Sequence, residues 1–101
     1  MEELLRVIGG KWKVLILWQV LAGPRRFSDL RRELAGVTQK MLTQQLRELE
    51  RDGLLTRHVF AQVPPRVEYS ATPLALGLRP VLQAMHDWAA DNLRDRAEVR
   101  L

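Results

Sequence analysis

The sequence has 101 residues, of which 47% are hydrophobic and 28% charged, and it carries a net charge of +4 with a pI near 10.3. This length and composition predict a single globular domain, residues 1–101, rather than a disordered chain. No cysteine, phosphate-binding loop, metal-ligand spacing or catalytic motif is present, so no enzyme activity, metal or cofactor is predicted. There is no apolar run near the roughly 20 residues of a membrane span and no signal peptide, which predicts a cytoplasmic protein without membrane contact.

The positive charge is concentrated in the middle of the chain. Residues 25 to 66 contain nine lysines and arginines against five carboxylates, whereas residues 67 to 101 contain more carboxylates than cations. A face that binds a polyanion needs a local surplus of this kind. A basic surface that is merely solvated is the alternative interpretation.

Two helices are predicted before this basic region. Glu2–Ile8 has apolar residues at helical spacing, including Leu4 and Leu5, and two glycines end it. Lys11–Leu21 is apolar on nearly all sides, which predicts a helix buried in the centre of the domain. A strand is the alternative for that segment, but its length and the Ala-Gly-Pro that follows favour a helix.

Residues 28–53 predict a helix-turn-helix. Ser28 is expected to cap the first helix, with Phe27 packing back onto it from outside the helix. A short turn containing glycine then leads to a second helix, which Thr38 can cap and after which Gly53 can adopt a left-handed conformation. Two helices joined by such a turn are the helix-turn-helix arrangement.

The second helix of this pair has one apolar face and one face rich in hydrogen-bonding groups. Amides, hydroxyls and cations can pair with base edges and phosphates, although most amphipathic helices carry polar residues for solvation alone. The residues predicted to read DNA bases are Gln39, Lys40, Thr43, Gln44 and Arg47. Glu48 and Glu50 are unsuited to DNA and are expected to pair with Arg51 and Arg47 or to face solvent.

Residues 54–71 predict a β-hairpin. Two segments rich in β-formers flank a loop that Pro64 and Pro65 stiffen. A hairpin directly after a helix-turn-helix is a winged helix, so the predicted fold is mainly α with a small antiparallel β-hairpin. The residues predicted to bind DNA phosphates are Arg26, Ser28, Arg57 and Arg66.

The C-terminal part predicts a helix with an interruption. Thr72 and Pro73 are expected to open it, and a glycine and a proline predict a break near residues 77–80. The apolar stripe beyond the break is wider than one small domain needs, so part of it is expected to meet a second subunit, with burial in the core as the alternative. A small apolar effector could bind near Trp12, Trp18, Met85 and Trp88, for which ordinary core packing is the alternative.

Four motifs together resemble one family of bacterial and archaeal proteins. They are Ile-Gly-Gly-Lys-Trp at residues 8–12, Arg-Phe-Ser-Asp-Leu at 26–30, a helix segment at 40–54 ending in Leu-Glu-Arg-Asp-Gly-Leu, and Val-Pro-Pro-Arg-Val-Glu-Tyr-Ser at 63–70. In this order, and across roughly residues 4 to 90, they resemble the HxlR-type winged helix transcription regulators.

The resemblance implies a homodimer that binds double-stranded DNA at a pseudo-palindromic operator. Within the helix-turn-helix 28–53, the helix that begins at Thr38 would read the major groove. Hairpin 54–71 would lie beside the backbone or minor groove, and segments 1–8 and 73–96 would form the dimer. The implied dimer residues are Leu4, Leu5, Val81, Met85 and Trp88. Many relatives carry a cysteine before the Gly-Gly-Lys-Trp motif, and because this sequence has none, thiol sensing is not implied. A winged helix used for protein–protein contact without specific DNA binding is the alternative function.

Overall fold

A computed structural model describes residues 1–93, which form six helices and a three-stranded antiparallel sheet. The helices are α1 (Glu2–Ile8), α2 (Lys11–Leu21), α3 (Phe27–Glu33), α4 (Gln39–Arg51), α5 (Pro73–Leu76) and α6 (Arg79–Asn92). The strands are β1 (Arg25–Arg26), β2 (Leu55–Phe60) and β3 (Arg66–Ala71). The predicted mainly helical, winged fold is confirmed. Residues 94–96 of the predicted dimerisation segment lie outside the described residues.

Helix α2 lies at the centre of the molecule, where it packs against α4, α5, α6 and β3. Its Ile16 and Leu17 are fully buried, as are the facing leucines of α4, Leu42 and Leu49. Burial of each such side chain stabilises the fold by about 1.5–3 kcal/mol. Because α4 buries this leucine face, its opposite, polar face is exposed. None of the helices among residues 1–93 is long and apolar enough to cross a membrane.

Both ends of α4 are set by local hydrogen bonds. The Thr38 hydroxyl accepts a hydrogen bond from the Met41 N–H at 3.1 Å and caps the first turn. After the last turn Gly53 has a φ of +79°, a left-handed conformation that glycine adopts without strain. Its N–H donates to the Glu50 carbonyl, and the Leu54 N–H donates to the Leu49 carbonyl, which closes a Schellman motif. The helix therefore begins and ends where the sequence predicts.

Helix α3 begins earlier than predicted. Arg26 is its N-cap and Phe27 its first residue, while Ser28 lies exposed in the first turn. The predictions that Ser28 caps the helix and that Phe27 lies outside it are wrong. The reason is β1, because Arg25 and Arg26 pair with β3 and the extended backbone ends at Arg26. The Asp29 carboxylate accepts a hydrogen bond from the Arg26 N–H at 3.0 Å, and this bond, followed by the Arg32 guanidinium, lowers the pKa of Asp29.

The sheet has the order β1-β3-β2, so the predicted hairpin gains a third strand on the β3 side. In the hairpin, Leu55 lies opposite Ala71 and Phe60 opposite Arg66. The added strand is two residues long, too short to show any alternation in the sequence. It fixes the start of α3 against the wing, because Arg26 lies opposite Glu68.

The predicted break in the C-terminal helix separates α5 from α6. Thr72 caps α5 by accepting a hydrogen bond from the Ala75 N–H, and its hydroxyl also donates to the Gly53 carbonyl at 2.6 Å. This second bond ties α5 to the end of α4. In α6, Leu82 is buried in the core, and most of the remaining surface of the helix is exposed.

Candidate nucleic-acid interface

A groove of about 750 Å³ runs along the exposed face of α4. Residues three and four apart on a helix are neighbours on its surface, so the polar positions form one continuous strip. The residues lining this groove are Gln39, Lys40, Thr43, Gln44, Arg47, Glu48 and Arg51. All five residues predicted to read bases therefore lie together on the exposed side of this helix.

A second cleft, of about 550 Å³, includes α4 and the sheet among its walls. Its lining residues are Phe27, Gln39, Thr43, Arg47, Glu50, Arg57, Val67 and Tyr69. Arg57, predicted to bind phosphate, is thus brought into the same cleft as three predicted base-reading residues. Cations from α4 and from β2 line this cleft, an arrangement suited to a phosphate backbone.

A third cleft, of about 390 Å³, lies between the start of α3 and the wing. Its lining residues are Arg26, Phe27, Ser28, Gln62, Pro64, Pro65, Arg66 and Val67. Three of the four predicted phosphate-binding residues are therefore collected here, at the tip of the hairpin. Phe27 and Val67 line both this cleft and the second one, so the two adjoin.

The wing arginine Arg66 has a defined orientation. Its guanidinium carbon lies 4.2 Å from the centre of the Phe60 ring, and its Nε lies 3.4 Å from a Glu68 carboxylate oxygen. A cation over an aromatic face is stabilised by about 0.5–1 kcal/mol at exposed sites. Ring and carboxylate together hold the arginine beside the third cleft.

The two acidic residues of α4 have different surroundings. Glu48 forms an ion pair with Lys13 of α2, whose Nζ lies 2.7 Å from the Glu48 carboxylate. The prediction that Glu48 pairs with Arg51 or faces solvent is therefore corrected. The hydrogen bond from Lys13, followed by the neighbouring Gln44 amide, lowers the pKa of Glu48. Glu50 is exposed and lines the second cleft beside Arg47 and Arg57. Sequence reasoning missed Lys13, and the signal for it was a lysine flanked by apolar residues in a largely apolar helix.

The predicted dimer residues differ in exposure. Leu4 is half-buried and packs against the core, whereas Leu5 is exposed. Val81, Met85 and Trp88 are 43%, 51% and 59% exposed and, at helical spacing, form one apolar stripe on α6. The tryptophans named for an effector pocket, Trp12 and Trp18, pack against the core, and Trp18 also stacks on the ring of His86 with 4.8 Å between centroids.

A helix-turn-helix with an exposed polar second helix, followed by a hairpin with an oriented arginine, is the architecture of winged helix DNA-binding proteins. The model of the HxlR-like helix-turn-helix family matches residues 7–97. The chain therefore belongs to the HxlR-like family of helix-turn-helix transcriptional regulators, as the resemblance implied, and this is a family of regulators rather than of enzymes.

Relatives and solved structures agree with this assignment. The chain is 47% identical to the HTH-type transcriptional regulator YdeP of Bacillus subtilis, over 96% of this chain and 75% of that protein. It is 46% identical to the regulator YtfH of Escherichia coli, over 98% of this chain and 79% of that protein. The structure of the redox regulator HypR in its reduced form superposes with a TM-score of 0.89 at 44% identity, covering 96% of each chain.

Proposed function

We propose that this protein binds a pseudo-palindromic operator as a homodimer and reads its sequence with α4. The observation that carries the proposal is the α4 groove, because it gathers the five candidate base-reading residues on one exposed face. Glutamine can pair bidentately with adenine, and arginine or lysine can pair with guanine O6 and N7. Arg26, Ser28, Arg57 and Arg66 hold phosphates in the two adjoining clefts.

The homodimer in this proposal is formed through α1 and α6. The exposed stripe of Val81, Met85 and Trp88, together with Leu5, offers apolar surface that a second copy would remove from water. Leu4 contributes from its half-buried position at the edge of the core. Two copies would present their α4 helices to half-sites about 34 Å apart, or a multiple of that distance. Thiol sensing is no part of the proposal, since the sequence contains no cysteine.

The test is footprinting of the DNA that flanks the protein's own gene at two salt concentrations. We expect a two-fold symmetric footprint, and a log affinity that falls with log salt by about 0.9 for each phosphate neutralised. Arg26→Ala combined with Arg66→Ala should make this slope shallower. Weak binding with little sequence preference, and an unchanged slope in the double variant, would instead support a protein-docking role for the winged helix.

A further inference from the structure

Lys13 is the one buried charged residue in the part of the chain that the structure describes. Its side chain is 8% exposed, and its Nζ lies 2.7 Å from Oε1 of Glu48, whose side chain is 25% exposed. A charge removed from water in this way is tolerated when it is paired and hydrogen-bonded. The contact joins the central helix α2 to the exposed face of α4.

Glu48 belongs to the α4 groove as well as to this ion pair. Gln44 lies one turn earlier on the same helix, and both residues line the groove. Side chains four residues apart on a helix are neighbours, so the Gln44 amide lies within reach of the Glu48 carboxylate, and its proximity lowers the pKa of Glu48 after the larger effect of Lys13. An ionised carboxylate accepts hydrogen bonds and cannot donate them, so a Gln44 side chain that bonds to it turns an amide N–H toward it.

We propose that the Lys13–Glu48 pair positions the amide of Gln44 for base reading. Lys13 holds the carboxylate, the carboxylate takes one N–H of Gln44, and the amide oxygen and the second N–H face the groove. That order of acceptor and donor matches N6 and N7 of adenine in the major groove. Lys13 and Glu48 are positioning residues, since they act on DNA through Gln44. The inference rests on the proposed function and adds an orientation to one of its residues.

A merely structural ion pair would affect folding and every DNA sequence alike. A positioning pair would affect the preference at one base pair of each half-site. In Glu48→Gln, the new amide oxygen can still accept from Lys13, but its NH₂ group offers a donor where Gln44 needs an acceptor. The amide of Gln44 would then lose its fixed orientation while α2 and α4 remain packed.

The experiment uses a library of duplexes with a randomised centre, sequenced before and after capture by the full chain. For the wild type we expect one position per half-site to favour adenine by about 5- to 150-fold, the discrimination of a bidentate contact. Glu48→Gln should reduce this preference to less than about a third of the wild-type value, while preferences at other positions and binding to unselected duplex stay within about twofold. Glu50→Gln is the matched control, because it removes a carboxylate two residues away that lines a different cleft, and it should leave the adenine preference unchanged.

Two further variants separate positioning from stability. Gln44→Ala should remove the same adenine preference. Combining Glu48→Gln with Gln44→Ala should cause no further loss. Lys13→Met combined with Glu48→Met removes both charges and keeps side-chain volume, so we expect a melting temperature close to wild type together with loss of the preference. An adenine preference that survives in Glu48→Gln or in the double methionine variant overturns the inference and leaves the proposed function standing. Absence of any duplex binding by the wild type overturns both.

Discussion

The guanidinium of Arg66 lies over the ring of Phe60, 4.2 Å from its centre, across the register pair that closes the β2–β3 hairpin. This contact aims a cation at the cleft that Arg66 shares with Arg26 and Ser28. The arginine is therefore already oriented in the free protein, which would reduce the conformational entropy lost in the proposed contact with a DNA phosphate.

Replacing Phe60 should weaken DNA binding without changing its sequence preference. In Phe60→Ala the guanidinium loses a contact worth about 0.5–1 kcal/mol, so affinity should fall by about two- to fivefold for operator and unrelated duplex alike. Fluorescence anisotropy titrations with both duplexes measure this. Val59→Ala, at the neighbouring exposed position of the same strand, is the control and should bind like the wild type. Equal affinities for Phe60→Ala and Val59→Ala would contradict the role of the ring.

Arg47 is expected to contact a base, because it lines both the α4 groove and the cleft toward β2. Arg47→Ala should reduce affinity for the footprinted operator by about 1–3 kcal/mol and affinity for unrelated duplex by less. Competition binding with the two duplexes gives the ratio of the operator affinity to the affinity for unrelated duplex. Arg31→Ala removes an exposed arginine of α3 that lies outside both clefts and serves as the charge-matched control. An unchanged ratio of the two affinities in Arg47→Ala would rule out the base contact.

Disrupting the apolar stripe of α6 should dissociate the proposed homodimer. Met85 is 51% exposed in the single chain, and Met85→Glu would place a charge in an apolar interface, where an unpaired charge is costly. Light scattering coupled to size-exclusion chromatography should report a dimer for the wild type and a monomer for this variant. Ala90→Glu adds the same charge on the opposite, exposed side of α6 and should remain dimeric. A monomeric wild type would refute the dimer itself.

Acid should destabilise the protein through Asp29 and Glu48. The pKa values of both carboxyls are lowered below their ordinary values of 3.8 and 4.5, Asp29 by the Arg26 N–H and Glu48 by Lys13. In the unfolded chain these carboxyls have their ordinary pKa values and so bind protons at higher pH than in the folded chain. Their contribution to stability is therefore complete above the ordinary pKa values and is lost as pH falls through the lowered pKa values of the folded protein. The urea concentration at the midpoint of unfolding should therefore be lower at about pH 3 than at about pH 6. The decrease should be smaller in Asp29→Asn with Glu48→Gln, and an equal decrease would contradict these assignments.

Short-range signals account for what could be predicted. Thr38 bonds to an N–H three residues ahead, and Gly53 closes α4 within one turn, so both ends of the helix follow from neighbouring residues. The break before α6 likewise depends on a nearby proline. The exposed polar face of α4 then followed from the helical period, since the leucines had to face the core.

The sequence by itself thus determined the winged helix architecture, the limits of α4 and the polar strip that it exposes, because these depend on hydrogen bonds and periodicity within a few residues. Tertiary structure decided where α3 begins, because Arg26 pairs with Glu68 on a strand 42 residues later. It also decided the partner of Glu48, because Lys13 lies 35 residues earlier and meets it when α2 and α4 pack together. Contacts between segments that are distant in sequence leave no recognisable pattern among neighbouring residues. They form only when burial of the shared core brings those segments together.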